Sequence, residues 1–282
     1  MRTLVHLSDL HFGRVDEQLL APLHETVHAL QPDVVVVSGD LTQRARSGQF
    51  CEAKRFLSYL PQPQIVVPGN HDIPLYNVAA RFLTPLVKYK RYITEDMAPA
   101  YVDDEIAVLG LNTARSLTFK DGRVNREQMA ALHARFDALP RDVTRVVVTH
   151  HPFDLPETYD DEDLVDRAEM AMGVFAQCGV DLLLAGHLHT SHSQSSAERY
   201  KISGYAALVV QAGTATSTRG RGESNSFNVI RIEHDRIEVE RYSWNESGAF
   251  LPATLEVFIR TGDVWQSVST QQRNPQYTDQ RY

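Results

Sequence analysis

The chain has 282 residues, 43% hydrophobic and 23% charged, a globular composition that excludes collagenous, low-complexity and wholly disordered proteins. With 28 Lys and Arg against 36 Asp and Glu, its formal net charge is −8, the opposite balance to proteins that grip nucleic acid through phosphate charge. No apolar run approaches the roughly 20 residues that span a bilayer, the start Met1–Leu7 has no signal-peptide h-region, and Cys51 and Cys178 alone make no disulfide framework. The expected setting is therefore the cytoplasm, with neither nucleic acid nor membrane as partner.

Short β-branched runs recur along the chain, and no repeat of about 20 to 50 residues marks a solenoid or propeller. Leu4–Leu7 and Asp33–Ser38, the latter with four consecutive valines, read as the first two strands. Gln64–Val67, Ile106–Leu111, Arg145–Thr149 and Asp181–Ala185 follow. Such near-continuous runs suit strands buried on both faces. Between them, Leu19, Leu23, Val27 and Leu30 share one helical face, and Phe50, Ala53, Leu57 and Leu60 another, with Ser47 as the expected N-cap. Asn125 and Gln128 form a capping-box pattern ahead of Met129, Leu132, Phe136 and Leu139. This alternation predicts α/β layering through about residue 185. Ala206–Gln211, Phe227–Ile232 and Ile237–Arg241 then read as a second, largely antiparallel sheet. Residues 1–261 are expected to form one domain, and the polar stretch 262–282 a mobile or loosely docked tail.

The chemistry collects at strand ends. Asp9 and His11 follow the first strand, Asp40 the second, and Asn70 and His71 the third. His150 ends the fifth, and His187 and His189 follow the sixth. Loops at the carboxyl ends of parallel strands gather in one crevice, and Gly39, Gly69 and Gly186 stand at the bends that lead into it. Carboxylate, imidazole and amide oxygen suit Mn, Fe or Zn. Seven such ligands exceed the needs of one four-coordinate ion, so two ions are expected, roughly 3.5 to 4 Å apart across a bridging carboxylate. Two dications would acidify a shared water to hydroxide near neutral pH and neutralise phosphate oxygens.

The ordered blocks Asp9-Leu10-His11, Gly39-Asp40, Gly69-Asn70-His71-Asp72, His150-His151-Pro152 and Gly186-His187-Leu188-His189 resemble those of the calcineurin-like metallophosphoesterase superfamily. Gln211–Ser217 and Asn225–Asn228 resemble its bacterial class III cyclic-nucleotide phosphodiesterase-like branch. The resemblance implies a four-layer α/β/β/α fold of two packed mixed sheets flanked by helices. It also implies that Asp9, His11, Asp40 and His189 bind one metal and Asp40, Asn70, His150 and His187 the other. His71 corresponds to the non-ligand histidine, a candidate general acid or phosphate hydrogen-bond donor, and His151 to a neighbour facing substrate or the ligands. The implied activity is hydrolysis of a small phosphodiester, foremost a 3′,5′-cyclic nucleotide. A homo-oligomer is compatible with the sequence.

Departures refine this expectation. Gln43 stands where the protein phosphatases of the superfamily place the carboxylate that orients the histidine, which disfavours that activity and leaves His71 without that partner. A nucleotide-lipid pyrophosphatase should show a greasy lid, and the charged stretch after Phe153 offers little. Leu7–Gly13 also resembles the opening block of DNA-repair exonucleases, against which the acidic charge argues. A non-enzymatic scaffold should have lost ligands, and none is missing. His6, His24, His28, His133 and His234 read as structural, His192 as a loop residue, and both cysteines as buried thiols. Arg219 and Arg221 suit phosphate contact and a solvated loop equally. Asp160–Asp163 reads as a solvated helix start, and Phe153–Ala176 alternatively as a flap over the metals.

Overall fold

The computed structural model describes residues 1–116, 121–156, 159, 163–219 and 222–273. Parallel strands β1 (Arg2–Leu7), β2 (Val34–Val37) and β3 (Gln64–Val66) begin one sheet. A second is built on β4 (Ala100–Val102), β5 (Ile106–Gly110), β6 (Thr144–Val148), β7 (Leu182–Ala185), β8 (His192–Ser195) and β9 (Leu208–Gln211). The chain then returns to the first sheet through β10 (Ser226–Glu233), β11 (Arg236–Trp244), β12 (Phe250–Thr261) and β13 (Val264–Gln272). The strand orders are β13-β12-β11-β10-β1-β2-β3 and β4-β5-β6-β7-β9-β8.

Both sheets are therefore mixed, and the division expected near residue 185 is corrected. The carboxyl-terminal strands extend the first sheet, β10 pairing antiparallel with β1, while β9 runs parallel beside β7 in the second. The valine run explains the layering. Val34 and Val36 face Val108, Val146, Leu182 and Leu184 across the space between the sheets. Val35 and Val37 point the other way, towards α1 (Leu20–Leu30) and α2 (Ser47–Ser58), where Leu23, Val27, Phe50 and Phe56 cover them. On the far side, α5 (Arg126–Asp137) and α6 (Ala168–Cys178) bury Met129, Leu132, Phe136 and Phe175 on Val147 and Leu183. The result is the α/β/β/α order of layers.

The capping box of α5 is present: Asn125 Oδ1 accepts from Gln128 N at 2.8 Å and Gln128 Oε1 from Asn125 N at 3.1 Å. Ser47 is instead the first helical residue of α2, with Arg46 at the cap position. Cys178 is buried, but Cys51 sits on the solvent side of α2 and is exposed. His192 lies on β8 opposite Gln211 rather than in a loop. Two short helices, α3 (Val78–Leu83) and α4 (Val87–Tyr92), follow the third strand.

The boundary expected at residue 262 falls inside a hairpin. Residues 264–272 pair with β12 as the edge strand of the first sheet, and 274–282 lie outside the described residues. The composition misleads because an edge strand can be polar along most of its length, its main chain supplying the pairing. One side chain anchors it. Trp265 is 1% exposed, and its indole N–H donates to Asp181 Oδ1 at 3.1 Å. Arg260 Nη1 reaches the same oxygen at 3.0 Å, so the carboxylate at the start of β7 ties the two sheets together. Trp265→Ala is expected to cost about 3–5 kcal/mol in urea unfolding, whereas a loss below about 1 kcal/mol would return the segment to the status of a tail.

Candidate metal centre

Five loops converge at the carboxyl ends of β1, β2, β3, β6 and β7, and all seven ligand-type residues lie in them. The turns that deliver them are left-handed at the site residues themselves: Asp9 (φ 54), His11 (φ 50), Asp40 (φ 51), His187 (φ 76) and His189 (φ 60). Such a backbone costs an L-residue about 1 kcal/mol or more. Of the three glycines at the bends, Gly39 alone has positive φ, +95. Gly69 is needed for space, because a Cβ there would collide with the Asp40 carboxylate.

The donor atoms form two sets. In the first, His11 Nε2 lies 3.5 Å from Asp9 Oδ1, 3.7 Å from Asp40 Oδ2 and 3.3 Å from His189 Nε2. His189 Nε2 is also 3.5 Å from Asp9 Oδ1. In the second, His150 Nε2 lies 3.4 Å from Asp40 Oδ1, 3.1 Å from Asn70 Oδ1 and 3.3 Å from His187 Nδ1. Ligands each about 2.1 Å from one ion stand roughly 3.0–3.4 Å apart, so both sets have the spacing of a coordination shell. Asp40 turns one oxygen to each set. Asp9 Oδ1 is buried with no hydrogen-bond partner, whereas Oδ2 accepts from Ser8 Oγ at 2.7 Å and His187 N at 2.9 Å. An orphaned carboxylate oxygen facing two imidazole nitrogens fits a cation.

Surrounding groups fix the donors. His150 Nδ1 donates to the Ser38 carbonyl at 2.8 Å, which turns Nε2 towards Asp40. Asp72 accepts from the N–H groups of Gly69, Leu41 and Thr42 at 3.0, 3.2 and 2.9 Å and from Thr42 Oγ1 at 3.0 Å. It thereby stitches the loop after β2 to the loop after β3; burial, then the Asp40 charge, pushes its carboxyl up to about 6. Burial would raise the Asp40 carboxyl, but His150 and His71 hold it well below the usual range. Burial pushes His187 down to about 3 and His189 to about 4, which leaves both rings as neutral electron-pair donors. At His150 burial lowers and Asp40 raises, with a net rise to about 9; a cation bound there displaces its proton.

His71 stands beside both sets, with Nε2 4.0 Å from Asp40 Oδ2. Its Nδ1 donates to the main-chain carbonyl of Gln43 at 3.0 Å, and the Gln43 side-chain Nε2 lies farther off, 3.4 Å from the same nitrogen. The orienting carboxylate is thus replaced by the backbone of the residue that stands in its place, which sequence could not reveal. Arg219, left open between two roles, enters the cleft, its Nη1 donating to His71 Nε2 at 3.1 Å; Arg221 lies outside the described residues. His151 lies against the ligand-type rings, 4.9 Å from that of His150 and 4.8 Å from that of His187. It is fully buried, and its Nδ1 is 2.7 Å from Thr113 Oγ1. With His150 and His187 it makes a further group of ligand-type atoms. The open cleft of about 170 Å³ also takes in Arg44, Leu75 and Asp163. Residues 160–162 lie outside the described residues, and α6 begins only at Ala168. A larger cavity, about 760 Å³ between α1 and α2, holds none of the seven. His6 bonds Ser38 Oγ, and His24 and His28 tie α1 to the Phe56 and Tyr59 carbonyls.

Residues 2–191 match the calcineurin-like phosphoesterase family. The chain belongs to that family. A probable cyclic nucleotide phosphodiesterase of Synechococcus is 24% identical over 204 residues, 68% of this chain and 75% of that one. A glycerophosphodiester phosphodiesterase of Enterobacter lignolyticus is 34% identical over 80 residues, 24% of this chain. That match spans 29% of the relative's length. Among solved structures, a purple acid phosphatase from yellow lupin seeds shares the fold, with a TM-score of 0.67 at 12% identity over 89% of this chain and 52% of that chain. A dimetal phosphatase from Danio rerio has a TM-score of 0.60 at 14% identity, over 89% of this chain and 98% of that chain. The relatives support the phosphodiesterase branch that the motifs resemble.

The backbone bond to His71 gives a test. Gln43→Ala should keep His71 oriented and change turnover less than about threefold, while His71→Ala should lower it by about 10²-fold or more. Equal losses in the two variants would show that the Gln43 side chain, not its carbonyl, positions the ring.

Proposed function

We propose that the protein is a dinuclear, metal-dependent phosphodiesterase of small phosphodiesters, foremost a 3′,5′-cyclic nucleotide. Asp9, His11, Asp40 and His189 hold one ion, and Asp40, Asn70, His150 and His187 the other. The observation that carries this reading is the division of the Asp40 carboxylate, with Oδ2 towards His11 and Oδ1 towards His150. The donors, nitrogen and oxygen without thiolate, suit Mn, Fe or Zn. Two bound ions supply neutralisation of phosphate oxygens and a water acidic enough to lose its proton near neutral pH.

The chain's own residues supply the rest. With Nδ1 committed to the Gln43 carbonyl, His71 presents Nε2 to the cleft. There, protonated, it can donate to a phosphate oxygen or to the departing alkoxide. Arg219 reaches the same point, and a guanidinium matches phosphate oxygens in geometry and charge. The cyclic-nucleotide preference rests on the Synechococcus relative, which is similar over 68% of the chain. The local match to a glycerophosphodiester phosphodiesterase makes a glycerophosphodiester the second substrate to examine. No donor of either set is replaced, which argues against a scaffold that has lost its chemistry.

The test is hydrolysis of bis-p-nitrophenyl phosphate, p-nitrophenyl phosphate, 3′,5′-cyclic AMP and a glycerophosphodiester by Mn-loaded protein. Diester turnover should vanish in Asp40→Ala, with bound metal falling below two ions per chain by elemental analysis. His71→Ala should keep both ions. No turnover of any of the four by protein holding two ions would overturn the assignment. Arg219→Ala should raise KM for the diester by about 10- to 100-fold with kcat nearly unchanged. An unchanged KM would place Arg219 outside substrate binding.

A further inference from the structure

One stretch of surface departs from the rest of the molecule. Nine large apolar side chains are exposed among the described residues, and five of them, Tyr76, Val78, Phe82, Leu83 and Val87, fall between positions 76 and 87. Scattered exposed apolar residues are ordinary, but a contiguous group marks a contact surface. Leu83 is 80% and Tyr76 76% exposed, so neither is a core residue grazing solvent. Val78 and Phe82 stand four apart on α3, and Val87, Lys90 and Arg91 share a face of α4. The inward sides are anchored. The hydroxyl of buried Tyr89 donates to the Val66 carbonyl at 3.0 Å, and Nε of buried Arg81 to the Ser116 carbonyl at 2.9 Å.

Charge identifies what this surface fits. From Leu75 to Tyr92 the chain has four basic residues and no Asp or Glu, although its net charge is −8. Arg81 among them is buried and Lys88 Nζ donates to the Ala45 carbonyl at 3.0 Å, so the surface charge is carried by Lys90 and Arg91. Lys90 and Arg91 are exposed beside the apolar row. Lysine is depleted at protein–protein interfaces, and a two-fold contact through this face would set like charges together. An apolar row flanked by cations is instead the make-up of an element that lies in the headgroup layer of an anionic bilayer. The overall negative charge does not forbid this, since at physiological ionic strength charges interact over only about 8 Å. We propose that residues 75–92 dock the protein on an anionic lipid surface. The same segment forms the rim of the metal cleft, through Leu75 and Arg81, so docking places the cleft mouth at headgroup level. The sequence led to no such expectation, and the greasy element lies here rather than after Phe153. No helix among the described residues is long and apolar enough to cross a membrane, and surface docking needs none.

The experiment is co-sedimentation of the full chain with vesicles of phosphatidylglycerol and phosphatidylcholine, and of phosphatidylcholine alone. Binding is expected to the anionic vesicles only, and to weaken at least tenfold between about 0.1 and 0.5 M salt. Each cation near such a surface is worth roughly fivefold in partition. Lys90→Glu/Arg91→Glu and Phe82→Glu/Leu83→Glu should therefore each lower binding at least tenfold. Melting temperature and turnover of a water-soluble diester should stay unchanged in both. Asp40→Ala should bind as wild type, which separates docking from hydrolysis. Absence of binding, equal binding to neutral vesicles, or retention by both double variants overturns the proposal. So does a dimer in gel filtration that Phe82→Glu/Leu83→Glu dissociates, which would assign the face to a second copy of the chain.

Discussion

The structure turns on two buried carboxylates at the seam between its sheets. Asp9 and Asp40 are 0% and 1% exposed, and each buried charge costs several kcal/mol unless it is compensated. The groups that meet them come from both sheets: the His150 ring faces Asp40 and the His187 N–H donates to Asp9, while the neutral His187 and His189 rings leave the balance to a cation. Asp9 and Asp40 leave strands of the first sheet, whereas His150, His187 and His189 leave strands of the second. The bond from His150 Nδ1 to the Ser38 carbonyl crosses the same seam. The register of one sheet against the other is therefore specified by polar contacts at this end as well as by valine and leucine packing behind it. Positioning of the donors and cohesion of the domain are one constraint.

That constraint accounts for the strained turns. A strand that ends pointing at the seam must bend sharply to aim a side chain back across it. Left-handed residues achieve the bend in the shortest length of chain. Glycine would adopt the conformation at no cost, but it carries no donor atom, so the donors themselves take it. The strain is offset by the bonds each turn makes: His11 N to the Asp40 carbonyl at 2.9 Å, and the Thr214 hydroxyl to the Asp9 carbonyl at 2.8 Å. The latter comes from the loop after β9, which explains why the Gln211–Ser217 stretch carries a motif without supplying a donor.

Much of this was legible in the sequence, for a physical reason. Strands buried on both faces leave uninterrupted β-branched runs, and a donor directly past such a run is marked by its position alone. What was not legible depends on partners far apart in sequence. The assignment of the carboxyl-terminal strands to the first sheet is settled by β1, more than 200 residues earlier. Residues 264–272 look like a tail because only Trp265 is buried deeply. Six-residue helices such as α3 and α4 are too short for periodicity to distinguish an inward face from an outward one. His71 finds a backbone carbonyl, a group every residue carries, so the residue type at position 43 does not announce that bond.

The replacement of a carboxylate by a carbonyl beside His71 bears on how the cleft divides its labour. A carboxylate would favour the protonated ring strongly; a carbonyl orients it and contributes only a dipole. Burial lowers the His71 pKa, Asp40 raises it less, and Arg219 adds a further lowering influence, so the ring stands neutral at rest with Nε2 accepting from the guanidinium. A phosphate entering between them brings the negative charge that both groups lack. It would draw Arg219 off the ring and favour a proton on Nε2 at the same moment. On the proposed role of His71, the donor to the leaving oxygen would then be assembled by the substrate rather than waiting charged. That suits a cleft whose floor is already crowded with histidines, where a permanently protonated neighbour would repel any cation that Asp9 and Asp40 are placed to hold.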